Sequence, residues 1–290
     1  MHFYHMPSRK TVILWAEKCG CTSLTQWMQY SFSEMKECKG KPRKFLARKG
    51  YNHLNINHLK RLINEEVPVD HLIVSHRESV SRMTSSYVNK FICRNGKLID
   101  NQSISKEDFS TQFAAQVLDY EDSLNQTTSK KEIKEGNKSH SFSLEIFLDF
   151  ITSEHVSLRR VNSHFTPQVE HVRQWRKIKM IMSHAKTVHP LRVDRFNSDL
   201  EHINSEMGLD FIPVKENSTE LPSSEWGYSS QAETGLMKPE ELWERKLIPN
   251  KHCTLALLSK NDILKERFRH TFRFDNRLRK LLDNPSEQQK

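Results

Sequence analysis

Thr11-Val-Ile-Leu-Trp-Ala16, followed by Glu17-Lys-Cys-Gly-Cys-Thr-Ser-Leu24, decides how this chain is read. The first six residues are β-branched, aromatic or aliphatic, the composition of a strand. A short polar loop, Glu17–Cys21, follows. From Thr22 to Phe32 the apolar residues Leu24, Trp27, Met28 and Phe32 fall on one helical face. A strand, a small-residue loop and a helix in that order turn helix-start amides toward an anion. Gly20 lets the backbone come close to an oxyanion, and Thr22 and Ser23 sit where the first amides and hydroxyls converge. Lys18 adds a point charge beside them. A Walker A loop needs its lysine after the second glycine, whereas here Lys18 precedes Gly20. The plainer reading of the same residues is an ordinary capped helix after a strand.

A second segment repeats the geometry. His71-Leu-Ile-Val-Ser75 reads as a strand, and Val80, Met83, Tyr87 and Phe91 space an amphipathic helix reaching about Ile92. Arg77 falls at the strand end, where α/β sheets bind ligands. Ser85 follows eight residues later, about two helical turns on, with Ser81 one turn before it. An arginine fork with a nearby hydroxyl suits a phosphate monoester. Arg82 and Lys90 read as a solvated basic face of that helix.

Further along, helices are expected over Asp108–Leu124, Ser143–Ile151 and Phe196–Met207, the last stopping at Gly208. Lys179–Met182 and Thr187-Val188 read as a strand region. Residues 215–250 read as loop, Asn261–Leu282 as a terminal helix, and 125–141 as a mobile loop. The expected architecture is α/β and helix-rich: a P-loop-like parallel sheet flanked by helices, forming one domain over 1–290 with a helical insertion.

Composition supports that class. Only 8 Gly and 10 Pro occur in 290 residues, too few for a sandwich or barrel full of tight turns. The chain is polar, with mean hydropathy −0.71, yet 15 Phe and 5 Trp supply enough bulk for a core. Lys and Arg total 45 against 36 Asp and Glu, a formal charge of +9 that favours anionic ligands or surfaces. The apolar runs fall far short of the ~20 residues of a membrane span, and no signal-peptide pattern is read at the start. A soluble, cytoplasmic protein is therefore expected, peripheral to a membrane at most. Five cysteines without a CxxC pair are expected to be reduced thiols. The four glycosylation triplets, at Asn101, Asn125, Asn137 and Asn217, occur at about chance frequency for this composition.

Taken together, the two loop segments resemble the signatures of sulfotransferases that use 3'-phosphoadenosine 5'-phosphosulfate (PAPS), and in particular the carbohydrate sulfotransferase branch and its bacterial relatives. Lys18, Gly20, Cys21, Thr22, Ser23 and Leu24 match the loop that in that family binds the 5'-phosphosulfate. Arg77 and Ser85 match the pair that binds the 3'-phosphate, and Tyr87, Asn89, Lys90 and Phe91 follow the same branch. Val161-Asn-Ser-His-Phe-Thr-Pro-Gln168 is similar to the acceptor-side pattern, in which Asn-x-His-aromatic precedes Pro. Arg192-Val-Asp-Arg-Phe196 with Asp199-Leu200 also has the family's look. The chain departs from the pattern with Glu17 in place of Pro, with Arg77-Glu-Ser79 in place of Arg-Asp-Pro, and without the paired cysteines that follow the His motif in some animal members.

The resemblance implies an enzyme that moves the sulfuryl group of PAPS to a hydroxyl of a glycan, glycolipid or other carbohydrate-type acceptor, without a metal. It makes Lys18 and His164 the catalytic residues, with Glu17 the rival for the base. An imidazole, with an ordinary pKa of about 6.5, can accept a hydroxyl proton near neutrality. Animal members of the branch carry an N-terminal membrane helix and this chain shows none, so a bacterial-type cytoplasmic relative is expected. Arg159, Arg160, Arg173, Arg176, Lys177 and Lys179 read either as a rim for an anionic glycan or as a solvated helix face.

Other classes find less support in the residues they would need. A glycosyltransferase would want an Asp-x-Asp metal pair, and Asp119-Tyr-Glu121-Asp122 reads instead as helix surface. Arg267–Lys280 interleaves Phe with Arg as a nucleic-acid interface would, but Leu264, Phe268 and Phe272 have core-facing spacing, so no nucleic acid is expected. A non-catalytic nucleotide- or nucleic-acid-binding protein remains the alternative.

Overall fold

The computed structural model describes residues 1–16, 19–38, 45, 63–64, 67–94, 96–99, 109–124, 141–153, 164–213 and 221–284. Lys18, Glu17, Arg159, Arg160, the four glycosylation triplets and residues 125–140 lie outside that set. The strands are β1 (His2–Met6), β2 (Thr11–Trp15), β3 (His71–His76), β4 (Cys93–Arg94), β5 (Lys97–Leu98), β6 (Thr187–Arg192), β7 (Gly227–Ser229) and β8 (Leu247–Pro249). The helices are α1 (Cys21–Ser31), α2 (Ser79–Tyr87), α3 (Phe109–Leu124), α4 (Leu144–Thr152), α5 (Val172–His184) and α6 (Phe196–Met207). Beyond them lie α7 (Ala232–Leu236), α8 (Pro239–Glu244), α9 (Lys251–Lys260), α10 (Asp262–Thr271) and α11 (Arg273–Asp283). The result is a mixed α/β, helix-rich chain with a mostly parallel central sheet.

The described chain divides into two compact units. The first comprises residues 1–79, 167–216 and 272–290, and the second residues 80–166 and 217–271.

The first unit carries the sheet, in the order β1-β2-β3-β6. β1 runs antiparallel to β2, while β2, β3 and β6 run parallel, with Ile13 opposite Ile73 and Ile73 opposite His189. The unbroken apolar run of β2 follows from burial on both faces. Ile13 and Trp15 point into a core shared with Leu24, Trp27 and Met28 of α1 and Phe196, Leu200 and Ile203 of α6. Val12 and Leu14 point the other way, toward Ile178 and Ile181 of α5 and Phe274 and Leu278 of α11. Helices therefore flank both faces, as the sequence leads one to expect. α6 stops at Gly208, whose φ of 62° is the left-handed cap glycine adopts without strain.

The second unit is held by aromatic packing. Tyr87 at the end of α2, Phe91 in the π-helical turn Val88–Ile92, Phe113 of α3, Phe142, Phe147 of α4 and Phe165 form one ring cluster. The Tyr87 hydroxyl donates to the Phe142 carbonyl at 2.8 Å, and burial pushes that phenol far above its ordinary range, keeping it neutral. Leu264 and Phe268 are buried, as their spacing predicts.

Several expectations are corrected. Lys179–Met182 is helical, because Gln174, Ile178 and Ile181 bury one face of α5 and His171 caps its start by accepting from the Gln174 amide. The 215–250 loop contains β7, α7, α8 and β8 in its described part; these elements are too short to show a period. The terminal helix is two helices that meet at Phe272, itself fully buried. Arg82 is not solvated: it is fully buried and donates to the Thr166 carbonyl.

Candidate functional site

The C-terminal ends of the parallel strands β2 and β3 carry the residues of interest in the first unit. β2 runs out at Trp15, and Gly20 opens α1 with a φ of 72°. A Cβ there would be strained by the backbone and would meet the Phe196 ring at 3.0 Å, so this position needs glycine twice over. Among the described residues no side chain caps α1, and no acid stands in its first turn. Its first amides and the positive end of its dipole are thus arranged for an anion. Thr22 is exposed there, while Ser23 and Leu24 are buried. Leu24 thus anchors the helix in the core, and its amide closes the first turn on the Gly20 carbonyl at 2.8 Å. Cys21 is the first helical residue.

Arg77 follows β3 directly and is half-buried. Its main chain is joined to the β2 loop by one side chain. Gln168 Oε1 accepts from the Arg77 amide at 3.1 Å and from the Cys19 thiol at 2.8 Å, while Nε2 donates to the Arg77 carbonyl at 2.7 Å. Ser75 of β3 adds a hydroxyl bond to the Cys19 carbonyl at 2.7 Å. The structure thus brings the glycine loop and Arg77 together at one sheet edge.

Ser85 and His164 belong to the second unit. Ser85 is half-buried on α2, and its carbonyl accepts from the Asn89 side chain at 2.9 Å. Half-buried His164 sits where its carbonyl accepts from the Ser86 hydroxyl at 3.1 Å. Arg173, Arg176 and Lys179 line the exposed face of α5. Asp119 and Asp122 are exposed on α3, the helix surface expected of them.

Reading the sequence missed Gln168 and Asp275. Both are fully buried, and their partners lie 91 to 196 residues away along the chain, too far for any local pattern to reveal. The only available signal was that Gln168 closes the acceptor-side pattern.

A cavity of about 570 Å³ opens elsewhere, at the N-terminal ends of β2 and β3, lined by Arg9, Lys10, Tyr30, Lys36 and His71. It is the wrong edge for a ligand of a parallel sheet. Arg9 there already donates to the Met207 carbonyl, and Lys10 pairs with Asp70 at 3.7 Å. Among the described residues no group of His, Cys, Asp and Glu is placed to hold a metal ion, and no helix is long and apolar enough to cross a membrane.

Compared with known proteins, the chain matches no family model, no curated protein and no solved structure.

Proposed function

We propose that the protein is a PAPS-dependent sulfotransferase acting on a hydroxyl of a carbohydrate-type acceptor. The observation that carries the reading is the edge just described. A helix start opened by a left-handed glycine, with no side-chain cap among the described residues, stands beside an arginine at the end of the neighbouring parallel strand, and one buried carboxamide ties the two. That edge offers amides for one phosphate group and a guanidinium for a second, which fits a donor carrying a 5'-phosphosulfate and a 3'-phosphate.

In this reading the amides of residues 20–23 and the hydroxyls of Thr22 and Ser23 hold the 5' group and Arg77 the 3'-phosphate; Ser85 and His164 take their parts from the sequence resemblance alone. His164 takes the proton of the acceptor hydroxyl as its oxygen bonds to sulfur. The bond from sulfur to the bridging phosphate oxygen breaks, and adenosine 3',5'-bisphosphate leaves with the electron pair. Lys18 stabilises the charge that grows on that oxygen, a role that requires no metal. By analogy with phosphoryl transfer, positioning supplies much of the remaining acceleration.

The test is binding and turnover on two variants. Adenosine 3',5'-bisphosphate should raise the melting temperature of the wild type, as any ligand selective for the native state does. Arg77→Ala should bind it no better than adenosine 5'-phosphate. Equal wild-type affinity for both nucleotides overturns the role of Arg77. His164→Ala should lose about 10²–10⁴-fold in turnover, the span expected for loss of a general base, with bisphosphate affinity retained. Near-normal turnover there, with collapse in Glu17→Gln, moves the base to Glu17.

A further inference from the structure

The Gln168 side chain makes four hydrogen bonds: three reach the two segments that the donor reading uses, and the fourth, from Nε2 to Asp275 Oδ2 at 3.5 Å, holds the carboxamide itself. Its oxygen accepts from Cys19 and from the Arg77 amide, and its nitrogen donates to the Arg77 carbonyl. Both main-chain groups of Arg77 are therefore bonded to one carboxamide, as they would be to a neighbouring strand. Through Cys19 the same carboxamide holds the residue immediately before the helix-opening glycine.

The carboxamide is itself fixed. The main-chain amides of Gln168 and Val169 donate to Asp275 Oδ2 and Oδ1 at 3.0 and 2.8 Å, and the Ser79 hydroxyl also donates to Oδ2, at 3.3 Å. Gln168 and Asp275 are both 0% exposed. A carboxylate taken out of water is tolerated only when it is hydrogen-bonded in this way.

From this we infer that Gln168 is a positioning residue: it sets the distance between the 5'-phosphosulfate amides after β2 and the Arg77 guanidinium after β3, with Asp275 holding it in place. The inference rests on the proposed donor reading. Its consequence is specific. Loss of the clamp should damage discrimination between a nucleotide with a 3'-phosphate and one without, because that discrimination depends on both groups being engaged at once.

The experiment measures the affinity ratio of adenosine 3',5'-bisphosphate to adenosine 5'-phosphate, well below each melting temperature. Gln168→Met keeps the volume and removes every side-chain hydrogen bond of the residue, and the ratio should fall at least about tenfold, the worth of two ordinary hydrogen bonds. Asn204→Leu is the control. It removes a buried amide that bonds Trp27 Nε1 and the Phe211 carbonyl elsewhere in the same unit, so stability should fall while the ratio holds.

Gln168→Glu supplies a readout that a space-filling role would not move. Its carboxyl, when protonated, offers the same donor and acceptor as the amide; when ionised it faces both the Arg77 carbonyl and Asp275 Oδ2 with no proton. Burial raises a carboxyl's pKa, so the ratio should recover as pH falls and drop as pH rises, each value being taken against wild type at that pH. Should Gln168→Met not fold, this profile decides alone. A wild-type ratio in Gln168→Met, or a flat profile in Gln168→Glu, overturns the inference. If wild type binds neither nucleotide, the donor reading fails, and amide hydrogen exchange decides the clamp. Gln168→Glu at high pH must then deprotect residues 20–23 and 77–79 together, and protection equal to wild type overturns it.

Discussion

At His189 a single side chain carries a pH dependence. Its Nε2 lies 2.9 Å from Nδ1 of His71, so one proton serves both rings. Glu206 approaches Nδ1 at 3.8 Å and is itself paired with His202 at 2.9 Å. Burial pushes the His189 imidazole down to about 4, with His71 adding to the effect and Glu206 opposing it. The unfolded chain, with an ordinary imidazole near 6.5, then binds more protons than the native one between these values. Stability should fall as pH drops from about 6.5 to about 4, by about 3 kcal/mol over the window. Urea denaturation across that range should show a shallower pH slope for His189→Gln than for wild type; equal slopes would mean that His189 is not buried in its neutral form. No local pattern in Thr187–Arg192 marks this histidine, because its partner stands on the neighbouring strand.

Elements behave as their periodicity dictates where they are long, and as their neighbours dictate where they are short. α1 and α6 were readable because 11 and 12 residues repeat an apolar face several times. The five-residue helix α7 offers no such repeat and exists through its contact with α9. Gly235 of α7 shows how close that contact is. A Cβ there would run into Leu257 Cδ1 and lie 2.9 Å from its Cγ and 3.1 Å from Cys253 Sγ, both residues being buried. Gly235→Ala should cost about 1–3 kcal/mol in denaturant unfolding, the usual penalty for overpacking. Adding Leu257→Ala should recover part of it, since residues in contact are not additive. Simple addition of the two losses would show that the contact is looser than drawn.

On the scale of the whole chain, charge is the property that would matter for the nucleotide donor proposed above. A formal +9 raises the local concentration of anions around the protein, and salt screens that field over about 10 Å at 0.1 M. Affinity for adenosine 3',5'-bisphosphate should therefore weaken several-fold between about 20 and 200 mM KCl, read by titration calorimetry. An affinity indifferent to salt would show that neutral contacts dominate. Within the first unit the charged residues are also paired for structure: Arg192 at the end of β6 grips Asp199 of α6 at 2.8 Å, and Glu78 pairs with Arg279 at 3.1 Å. The count of surface cations alone therefore overstates what is available to a ligand.

The sequence by itself determined the class and the edge. β2, β3, α1 and α6, the Gly20 turn and the position of Arg77 were all readable, because a strand's composition, a helix's period and a glycine's conformational freedom are local properties. Tertiary structure alone decided how those pieces are held. The strand His2–Met6 is recognised only by pairing with β2, Lys179–Met182 is helical because of the face it buries, and Arg82 went from an expected surface cation to a buried donor. Gln168 and Asp275 are the sharpest case. Their role is written in bonds between residues about a hundred positions apart, and a buried polar group acquires meaning only from the partner that replaces its water.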